Sequence, residues 1–408
     1  MAFGSALEGL RVIDLGQMIA GPLCASMLGD MGADVIKVEA PGKGDISRDS
    51  LPKQDGVSTY FIAFNRSKRG ICLNLKTPEG KEILKKLIVE ADVLIENFRP
   101  GVMDRLGFSY EVVHKINPQI IYASISGFGQ AGEYAHRACF DPIAQAISGM
   151  MSVTGSEHGE KVRCGASIAD IMAAQNAVCG ILAALQYRQK SGVGQWIDVS
   201  LIDSCIVALS SMNQFYLTTG TIPAPKGNRF EASAPGNSYP TSNGILVISA
   251  GQNSEWAKLA HVLGHEEWLE DNRFSTVDLR VQNRELLDSL ISAETVKFNT
   301  DMLLKLLLDI GLPAGPVQNV KQVIDDPYFS DVRNMFPCVE HPKIGTVQIT
   351  NQGIKMSETN PYVRSCAPTL GQHNVEVLLS LGYSNEDIDV LTSSGVIFAE
   401  QKLFFTRA

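Results

Sequence analysis

The chain has 408 residues, of which 45% are hydrophobic and 19% are charged, and its formal net charge is −9. This length supports two domains or one elaborate domain with a large core. The acidic balance argues against nucleic acid or an anionic membrane as a partner, because both bind basic surfaces. A local group of cations that binds a phosphate-bearing ligand remains compatible with it.

The cysteines, the histidines and the first residues limit the class of protein further. The eight cysteines are scattered and form no C-x-x-C pair, which predicts reduced thiols rather than disulfides. The seven histidines show no metal-ligand spacing, so no metal site is expected. The sequence starts without a basic segment followed by an apolar run, and no long uninterrupted apolar run occurs. We therefore expect a cytoplasmic protein without a signal peptide or a membrane span.

Short β-rich runs alternate with helical segments along the first 200 residues. A strand over 10–16, a helix over 21–33 and a strand over 34–41 come first. The alternation continues with a strand at 70–75, a helix at 77–91 that Thr77 caps and Pro78 opens, and strands at 92–98, 119–129 and 195–201. This pattern predicts an α/β fold with a Rossmann-like, doubly wound parallel sheet.

The composition changes after residue 220, where proline, glycine, serine and asparagine dominate residues 221–244. Such a change is typical of a domain junction. We expect a large α/β domain over residues 1–220 and a smaller α+β domain over 221–330. Residues 331–408 are expected to form a C-terminal segment that returns to the large domain.

Two motifs that suggest chemistry are weak signals. GFGQAG at 127–132 has the spacing of a dinucleotide-binding loop, but the EYAHRACFDP that follows is not helical and Asp141 comes too early to contact a ribose. Cys164 beside Gly165 suggests a cysteine nucleophile. No Gly-Cys-Gly-like elbow surrounds it, so a buried thiol is the favoured interpretation.

Asp170 stands directly before a long apolar helix predicted over 171–190, and the small residues Gly165, Ala166 and Ala169 precede it. A carboxylate at a helix N-terminus faces unpaired backbone N–H groups and the positive end of the helix dipole, so we expect it to be ionised at neutral pH. Position alone allows two interpretations. Asp170 is either an N-cap that closes the helix or a nucleophile with open space in front of it.

Five motifs follow one another along the chain: IAGPLCASMLGDMGADVIKVEAPGKGD (19–45), NRSKRGICLNLKTPEG (65–80), DVLIENFRPGVMDRLG (92–107), SGFGQAG (126–132) and GQWIDVSLIDS (194–204). In this order they closely resemble the class III coenzyme A transferases. That group includes the formyl-CoA:oxalate, acetyl-CoA:oxalate and carnitine CoA-transferases, and also the α-methylacyl-CoA racemases. The resemblance implies an interlocked homodimer, with coenzyme A as a co-substrate and no permanently bound cofactor.

The resemblance also implies that Asp170 is the nucleophile of a CoA-transferase. Its carboxylate attacks an acyl-CoA thioester to give an aspartyl–acyl anhydride, and an aspartyl-CoA thioester follows. An incoming small carboxylic acid, with oxalate-type acids as the first choice, then takes the coenzyme A. A carboxylate nucleophile needs no general base, which fits a chain without a histidine dyad. Arg48 and Arg163 are candidates for binding a second carboxylate of the acid, or are surface charges.

Coenzyme A carries phosphates, so its site needs cations. By resemblance, four residues lie in the motifs that hold coenzyme A, namely Lys76, Asn97, Phe98 and Arg105. Gln17 lies at the end of the first strand, where such folds contact the substrate. The NRSKR cluster adds Arg66, Lys68 and Arg69, although any single cation among these candidates could instead be a solvated surface charge. Ala250, Gly251 and Gln252 occupy the place of the family's mobile glycine-containing loop, here SAGQNS.

The racemases pair the same aspartate with a histidine in a His-Asp unit, because moving an α-proton needs an acid and a base on opposite faces. Here that unit is Phe140-Asp141, and phenylalanine carries no proton. His136 would need a shift in register to replace it. The sequence therefore favours a transferase, with an α-methylacyl-CoA racemase-type epimerase as the alternative.

Asp141 is a substrate contact, a loop-positioning residue or a helix cap. A catalytically silent coenzyme A-binding protein is a third hypothesis, disfavoured by the intact Asp170.

Overall fold

The structure is a computed structural model that describes residues 4–400. The chain forms two compact units, the first from residues 4–150, 164–213 and 327–400 and the second from residues 151–163 and 214–326. The expected domain boundaries after residues 220 and 330 stay a prediction, because compactness alone does not show which segments fold independently.

Within residues 4–400 the α-helices are α1 (Ala20–Asp30), α2 (Thr59–Phe64), α3 (Pro78–Val89), α4 (Val102–Leu106), α5 (Tyr110–Ile116), α6 (Asp141–Ile147), α7 (Met150–Val153), α8 (Ile168–Ser191), α9 (Leu201–Ala208), α10 (Ser210–Thr219), α11 (Asn253–Leu263), α12 (Val277–Gln282), α13 (Arg284–Thr295), α14 (Thr300–Asp309), α15 (Val320–Asp325), α16 (Asn374–Ser380) and α17 (Asn385–Ser393). Short 3₁₀ turns occur at Ile46–Asp49 and Glu266–Leu269, and a π turn at Tyr328–Val332.

The first unit is built on six parallel strands: β1 (Arg11–Asp14), β2 (Asp34–Glu39), β3 (Arg69–Cys72), β4 (Val93–Glu96), β5 (Ile121–Ser126) and β6 (Trp196–Ser200). Their spatial order is β3-β2-β1-β4-β5-β6, which confirms the predicted Rossmann-like sheet. Ile13 of β1 pairs with Ile36 of β2 and Leu94 of β4, and all three are buried. The strand order reverses between β1 and β4, and in such sheets ligands bind in the crevice at that point.

Helices cover both faces of this sheet. One face packs against α1, α8 and α9, around a core that includes Cys24, Leu28, Ala173, Ala177 and Ile181. The other face packs against α3, α5, α16 and α17, around a core that includes Ile83, Leu87, Val113, Val377 and Ile388.

The start of α16 is tied to the edge strand β3 by hydrogen bonds from backbone N–H groups of the strand to two side chains. The N–H of Cys72 donates to Asn374 Oδ1 at 2.8 Å across 302 residues of sequence, and the N–H of Gly70 donates to His373 Nδ1 at 2.9 Å. The last part of the described chain therefore completes one face of a sheet whose strands come mostly from its first half.

The second unit contains an antiparallel sheet of β7 (Gly236–Thr241), β8 (Gly244–Ser249) and β9 (Ala314–Pro316) in the order β9-β8-β7. Its core includes Trp256 and Trp268, whose rings stack with centroids 5.8 Å apart. Small strands with helices confirm the expected α+β architecture. Two hairpins belong to the first unit, Lys53–Gln54 with Val57–Ser58 and β10 (Cys338–His341) with β11 (Gly345–Gln348). The interlocked dimer stays a prediction.

Helix starts show where local sequence signals were sufficient. Helix α3 begins at Pro78, and the Thr77 hydroxyl accepts the N–H of Gly80 at 3.1 Å, as predicted. Helix α9 begins at Leu201, because Ser200 is its cap and accepts the N–H of Asp203 at 3.1 Å. The serine three residues before an acidic residue was a usable signal for this start.

Helix α8 spans 24 residues and is long and apolar enough to cross a membrane by length and composition alone. Gln175 and Asn176 interrupt its apolar residues, so a search for an unbroken apolar run does not find it. Its buried residues pack against α1 and the sheet. A core helix meets the same criteria, so this finding does not by itself indicate a membrane.

Four charged side chains meet out of contact with solvent beneath the turn that follows β1. Asp14, Lys37, Asp45 and Lys68 each have a fully buried side chain. Lys37 Nζ lies 2.9 Å from an Asp45 oxygen and 3.7 Å from Asp14 Oδ2, and Lys68 Nζ lies 2.7 Å from Asp14 Oδ2. We call this set the Asp14 network. Two cations face two anions, so the loss of hydration is offset by direct attraction.

The Asp14 network fixes the backbone of the turn formed by residues 16–18. Asp14 Oδ1 accepts the N–H of Gly16 at 2.8 Å, and Lys37 Nζ donates to the carbonyl of Gly16 at 2.7 Å. Asp45 Oδ1 accepts the N–H of Met18 at 3.1 Å. Met18 has φ of +64°, a conformation that non-glycine residues seldom adopt. These bonds hold the turn in that conformation at the carboxyl end of the central strand.

We expect Lys68→Met to reduce the free energy of unfolding by about 3–5 kcal/mol, because it leaves a buried carboxylate without one of its cations. Lys68 Nζ also donates to the carbonyl of Pro22 at 2.8 Å and to Asn65 Oδ1 at 3.0 Å, and these acceptors lose their donor as well. Urea unfolding followed by circular dichroism measures the loss.

Lys85→Met is the matched control for this substitution. The Lys85 side chain is 51% exposed and lies 3.8 Å from Glu82, so its loss should change stability by less than about 1 kcal/mol. Equal urea midpoints for the two variants would show that the fold does not depend on the Asp14 network.

Candidate active site

Asp170 lies inside the first turn of α8, which begins at Ile168, and its side chain is partly buried. The residue that precedes the helix is Ser167, whose side chain makes no capping hydrogen bond. The N-cap interpretation of Asp170 is therefore wrong, because the helix begins two residues earlier than the position of Asp170. Its carboxyl group does not cap the N-terminus of α8.

The capping function is performed by Asp141, the buried first residue of α6. Asp141 Oδ1 accepts the N–H of Ala169 at 2.9 Å, and Oδ2 accepts Gln145 Nε2 at 2.8 Å. Gln145 is fully buried, and its Oε1 accepts the N–H of Cys164 at 2.8 Å. We call this pair the Asp141–Gln145 bracket. Among the interpretations of Asp141 left open by the sequence, this geometry matches a residue that positions the loop.

Burial, and secondly the negative charge of Asp141, raise the pKa of Asp170 to about 7. The expectation that the helix N-terminus keeps this carboxyl fully ionised at neutral pH is wrong. The N–H of Ala169 bonds to Asp141 instead, and none of residues 4–400 donates a hydrogen bond to the Asp170 carboxylate. A carboxyl with this pKa is partly ionised at neutral pH and more basic than an ordinary carboxylate.

Two thiols close to Asp170 were missed by the sequence analysis. Burial, followed by the charge of Asp170, raises the pKa of Cys139 to about 11. The pKa of Cys205 is also raised, mainly by burial. Both thiols are therefore protonated at neutral pH and poor nucleophiles. A Cβ atom added to Gly127 would lie 2.1 Å from the Cβ of Cys139, so the first glycine of GFGQAG serves close packing at this position.

The structure brings Gln17 and Asn97 together at the carboxyl ends of β1 and β4. The N–H of Gln17 donates to Asn97 Oδ1 at 2.7 Å, and Asn97 Nδ2 donates to the carbonyl of Gln17 at 2.8 Å. This is the crevice where the strand order reverses, as predicted for a ligand site. The adjacent Phe98 packs partly against the core beneath α3 and α5. Its N–H donates to Glu96 Oε2 at 2.8 Å.

The predicted phosphate-binding cations fall into two groups. Lys76, which follows β3, and Arg105, near the end of α4, have exposed side chains. The cations of the NRSKR cluster instead pair with carboxylates of the fold: Arg66 with Asp30 at 2.8 Å, Lys68 with Asp14 at 2.7 Å, and Arg69 with Asp34 and Glu376 at 2.7 Å each. A role for Arg69 in binding coenzyme A stays a prediction, and it would require Arg69 to exchange these partners.

The two arginines suggested for a second carboxylate also differ in their surroundings. Arg48 makes a two-point contact with Glu39, at 2.6 and 2.7 Å, and its guanidinium lies 3.6 Å from the centre of the Phe61 ring. Arg163 is exposed and belongs to the second unit. The structure therefore gives Arg48 a partner within the protein.

Phe140 and His136 are the two residues that bear on the racemase alternative. Phe140 is 65% exposed and immediately precedes α6. His136 lines a cavity of about 260 Å³ with Glu96, Tyr110 and Trp196, and Asp170 is not among the described residues that line it. Burial raises the pKa of Glu96 to about 7, a second perturbed carboxyl that the sequence did not reveal.

The loop of Ala250, Gly251 and Gln252, predicted to correspond to the family's mobile glycine-containing loop, lies in the second unit, where its backbone is hydrogen-bonded. The fully buried Arg280 donates from Nη2 to the carbonyl of Gly251 at 2.8 Å and from Nε to the carbonyl of Ala234 at 2.7 Å. The N–H of Gln252 donates to Glu255 Oε2 at 3.0 Å as α11 begins. A role for Gly251 and Gln252 beside Asp170 stays a prediction.

Comparison with known proteins gives a consistent result. The model of CoA-transferase family III matches residues 7–374. The chain is 37% identical to succinyl-CoA–D-citramalate CoA-transferase of Chloroflexus aurantiacus over 96% of its own length and 98% of that protein. It is 38% identical to acetyl-CoA:oxalate CoA-transferase of Acetobacter aceti, over 90% and 93% of the two chains. A CAIB/BAIF family protein from Brucella suis superposes with a TM-score of 0.85 at 37% identity, covering 93% and 100% of the two chains.

The raised pKa of Asp170 predicts a pH-dependent stability penalty. The folded protein keeps the Asp170 proton up to a pH of about 7, whereas the unfolded chain releases it near pH 4. Stability is therefore lost as the pH rises through this window. We expect Asp170→Asn to increase the free energy of unfolding, relative to wild type, by about 1–3 kcal/mol more at pH 8 than at pH 5.

Urea titrations at the two pH values test this expectation, with Asp203→Asn as the control. Asp203 is an exposed aspartate in the first turn of α9. A pH-independent effect of Asp170→Asn would contradict the raised pKa.

Proposed function

Because the chain belongs to CoA-transferase family III, we propose that it transfers coenzyme A from an acyl-CoA to a free carboxylic acid with Asp170 as the nucleophile. The observation that carries the proposal is the state of the Asp170 carboxyl. It lies in the first turn of α8, receives no hydrogen bond from residues 4–400, and has a pKa of about 7. These features are typical of a reactive group rather than of a structural one.

The reaction proceeds through four displacements in which atoms and charges balance. The Asp170 carboxylate attacks the thioester carbonyl, the C–S bond breaks, and coenzyme A thiolate leaves behind an aspartyl–acyl anhydride. The thiolate attacks the aspartyl carbonyl, releases the first acid as a carboxylate and forms an aspartyl-CoA thioester. The acceptor carboxylate then attacks this thioester and expels the thiolate. The thiolate finally attacks the acceptor's carbonyl in the new anhydride and regenerates Asp170.

The pKa of Asp170 suits this sequence of steps. A carboxylate that is more basic than usual is a better nucleophile toward a thioester, yet with a pKa of about 7 a substantial fraction remains ionised at neutral pH. The protonated thiols of Cys139 and Cys205 do not compete for the acyl group, because the thiolate is the reactive form of cysteine.

Coenzyme A is proposed to lie along the crevice marked by Gln17 and Asn97. Its phosphates would be bound by the exposed Lys76 and Arg105, whose side chains are accessible. Arginine and lysine are the usual phosphate ligands in proteins. The pair formed by Gln17 and Asn97 fixes the backbone at the crevice and gives the ligand a rigid surface.

The acids are proposed to be short dicarboxylic acids. The names of the two relatives contain four acids, of which succinate, D-citramalate and oxalate carry two carboxyl groups and acetate carries one. Succinyl-CoA is therefore our first choice of donor. Oxalate, the acceptor favoured by the sequence motifs, remains in the proposed class.

Trapping of the covalent intermediate tests the role of Asp170. We expect protein mixed with succinyl-CoA and quenched in hydroxylamine to carry a hydroxamate on Asp170, because both the anhydride and the thioester react with this amine. Peptide mass spectrometry locates the adduct. Comparison of succinyl-, acetyl- and oxalyl-CoA ranks the donors by yield.

The control is Asp170→Ala, which should give no adduct at this position with any donor. Incorporation of solvent deuterium at the α-carbon of an acyl-CoA without labelling of Asp170 would contradict the transferase mechanism. It would support the racemase alternative instead.

Kinetics of charge-neutralised variants test the proposed phosphate ligands. We expect Lys76→Met and Arg105→Met each to raise the KM for acyl-CoA by about 10-fold with a smaller effect on kcat, because binding of the phosphates is lost while Asp170 is unchanged. Steady-state kinetics with a fixed acceptor measure both parameters.

Lys305→Met, at a 76% exposed lysine of the second unit, is the control and should leave KM unchanged. Arg69→Met provides the contrast. If Arg69→Met lowers stability without changing KM, the role of Arg69 is to form its ion pairs with Asp34 and Glu376 and not to bind phosphate. Unchanged KM in both Lys76→Met and Arg105→Met would rule out these two residues as phosphate ligands.

A further inference from the structure

The segment from Cys164 to Ala169 leads directly into the catalytic carboxylate and is held at both ends by one helix. The N–H of Cys164 donates to Gln145, and the N–H of Ala169 donates to Asp141. Asp141 and Gln145 lie four residues apart on α6, so their side chains are on the same face of the helix. Because the next residue after Ala169 is Asp170, the position of α6 determines where that carboxyl lies.

The direction of every hydrogen bond in the bracket is fixed by the backbone. Both ends are N–H donors, so the groups that meet them must be acceptors. Gln145 uses its oxygen for Cys164, which leaves its NH₂ group to face Asp141. Asp141 must therefore accept twice, from Ala169 with one oxygen and from Gln145 with the other. This chain of bonds needs one carboxylate, which accepts twice, and one amide, which accepts once and donates once.

We propose that the Asp141–Gln145 bracket is a positioning device for Asp170, and that one carboxylate and one amide, paired across positions 141 and 145, are needed for rapid acyl transfer. This inference rests on the proposed function of Asp170. Asp141 and Gln145 are positioning residues, since they act on the reaction through the backbone at residues 164 and 169.

The charge of the bracket adds a second effect. Besides burial, Asp141 of α6 is the charged group that raises the pKa of Asp170, and the charge of Asp170 in turn adds to burial in raising the pKa values of Cys139 and of Cys205 of α9. Both thiols are protonated at neutral pH, so Asp141 supplies the only negative charge among these three. The carboxylate that places Asp170 also disfavours its ionisation. A change of charge at position 141 should therefore move the pH profile of the reaction.

Exchanging the carboxylate and the amide between positions 141 and 145 tests the hydrogen bonds of the bracket. In Asp141→Asn the new NH₂ group faces the NH₂ group of Gln145. If either amide rotates to avoid this contact, its NH₂ group then faces a backbone N–H, so two donors still meet. In Gln145→Glu two carboxylates face each other without a donor between them. In the double variant D141N/Q145E the amide NH₂ at position 141 donates to the carboxylate at position 145, and both backbone N–H groups keep an acceptor. The double variant restores all three bonds with the charge moved one side chain away from Asp170.

The test measures kcat and the rate of hydroxylamine-trapped adduct formation for the wild type, both single variants and the double variant. We expect each single variant to be slowed by about 10-fold or more, because a small displacement of a reacting group has effects of this size. The double variant should recover to within about threefold of wild type, which is the non-additivity expected of coupled residues. Its rate should reach half-maximum at a lower pH than that of the wild type, a shift that a purely structural defect would not produce.

Asn176→Ala is the matched control. Asn176 Nδ2 donates to Ser204 Oγ at 2.9 Å and links α8 to α9 without contacting the start of α8. Its rate and pH profile should match those of the wild type. A double variant no faster than the slower single variant would overturn the proposal, and so would single variants that react at the wild-type rate.

Hydrogen exchange separates failure of the bracket from failure of the proposed function. The amides of Cys164 and Ala169 should exchange slowly in the wild type and the double variant and faster in both single variants. If the wild type forms no adduct on Asp170, the proposed reaction is wrong. The exchange pattern then tests by itself whether the bracket holds the segment from Cys164 to Ala169. Fast exchange of both amides in the wild type would overturn the bracket whatever the chemistry of Asp170.

Discussion

Two lysines and two aspartates without solvent contact lie beneath the turn after β1, and the edge of the sheet where the strand order reverses depends on their mutual attraction. Charges of this kind are tolerated in a low-dielectric interior only when each one has opposite charges and hydrogen-bond partners. In the Asp14 network both Gly16 and Met18 are bound through their backbones. The turn then presents Gln17 to Asn97 on the neighbouring strand. The buried charges thus determine the shape of the crevice where the strand order reverses.

The start of α8 shows how two aspartates divide two tasks. Helix N-termini offer backbone donors that stabilise a carboxylate, and a carboxylate that accepts them becomes a weaker base. Asp141 takes the N–H of Ala169 and the amide of Gln145, and its interactions are structural. Asp170 receives neither and is affected by burial and by the charge of Asp141. Burial and repulsion by Asp141 outweigh the stabilisation that a helix N-terminus gives to a carboxylate. The Asp170 carboxyl therefore has a fixed position and an unusually high pKa.

The sequence was sufficient wherever a short-range pattern determines the structure. Apolar runs located the parallel strands, Thr77 and Pro78 located the start of α3, and the strand ends placed Gln17 and Asn97 at one edge of the sheet. Family motifs directed attention to Asp170, although its position within the helix differs from the N-cap interpretation. These features depend on neighbours in sequence or on the regular geometry of a sheet.

The sequence was insufficient wherever the partner is distant. The basic NRSKR cluster suggested phosphate ligands, yet its cations pair with Asp30, Asp14 and Asp34, which no local pattern indicates. Gln145 gave no signal, because its role arises only when α6 packs beside residues 164–169. The pKa of Asp170 likewise depends on burial and on a carboxylate 29 positions earlier in the sequence. Each of these features is a property of the tertiary structure.

The hydrogen bonds between β3 and residues 373–374 have a consequence for the order in which the protein is made. A ribosome releases β3, α3 and the whole second unit before α16 and α17 emerge. Until then the apolar side chains that these helices cover, such as Ile83 and Leu87, lack part of their packing. The backbone of β3 at the sheet edge also lacks the acceptors supplied by His373 and Asn374. Native folding of the first unit is therefore completed only late in synthesis. Truncated chains expose an edge strand and an apolar face of the kind that aggregates and recruits chaperones.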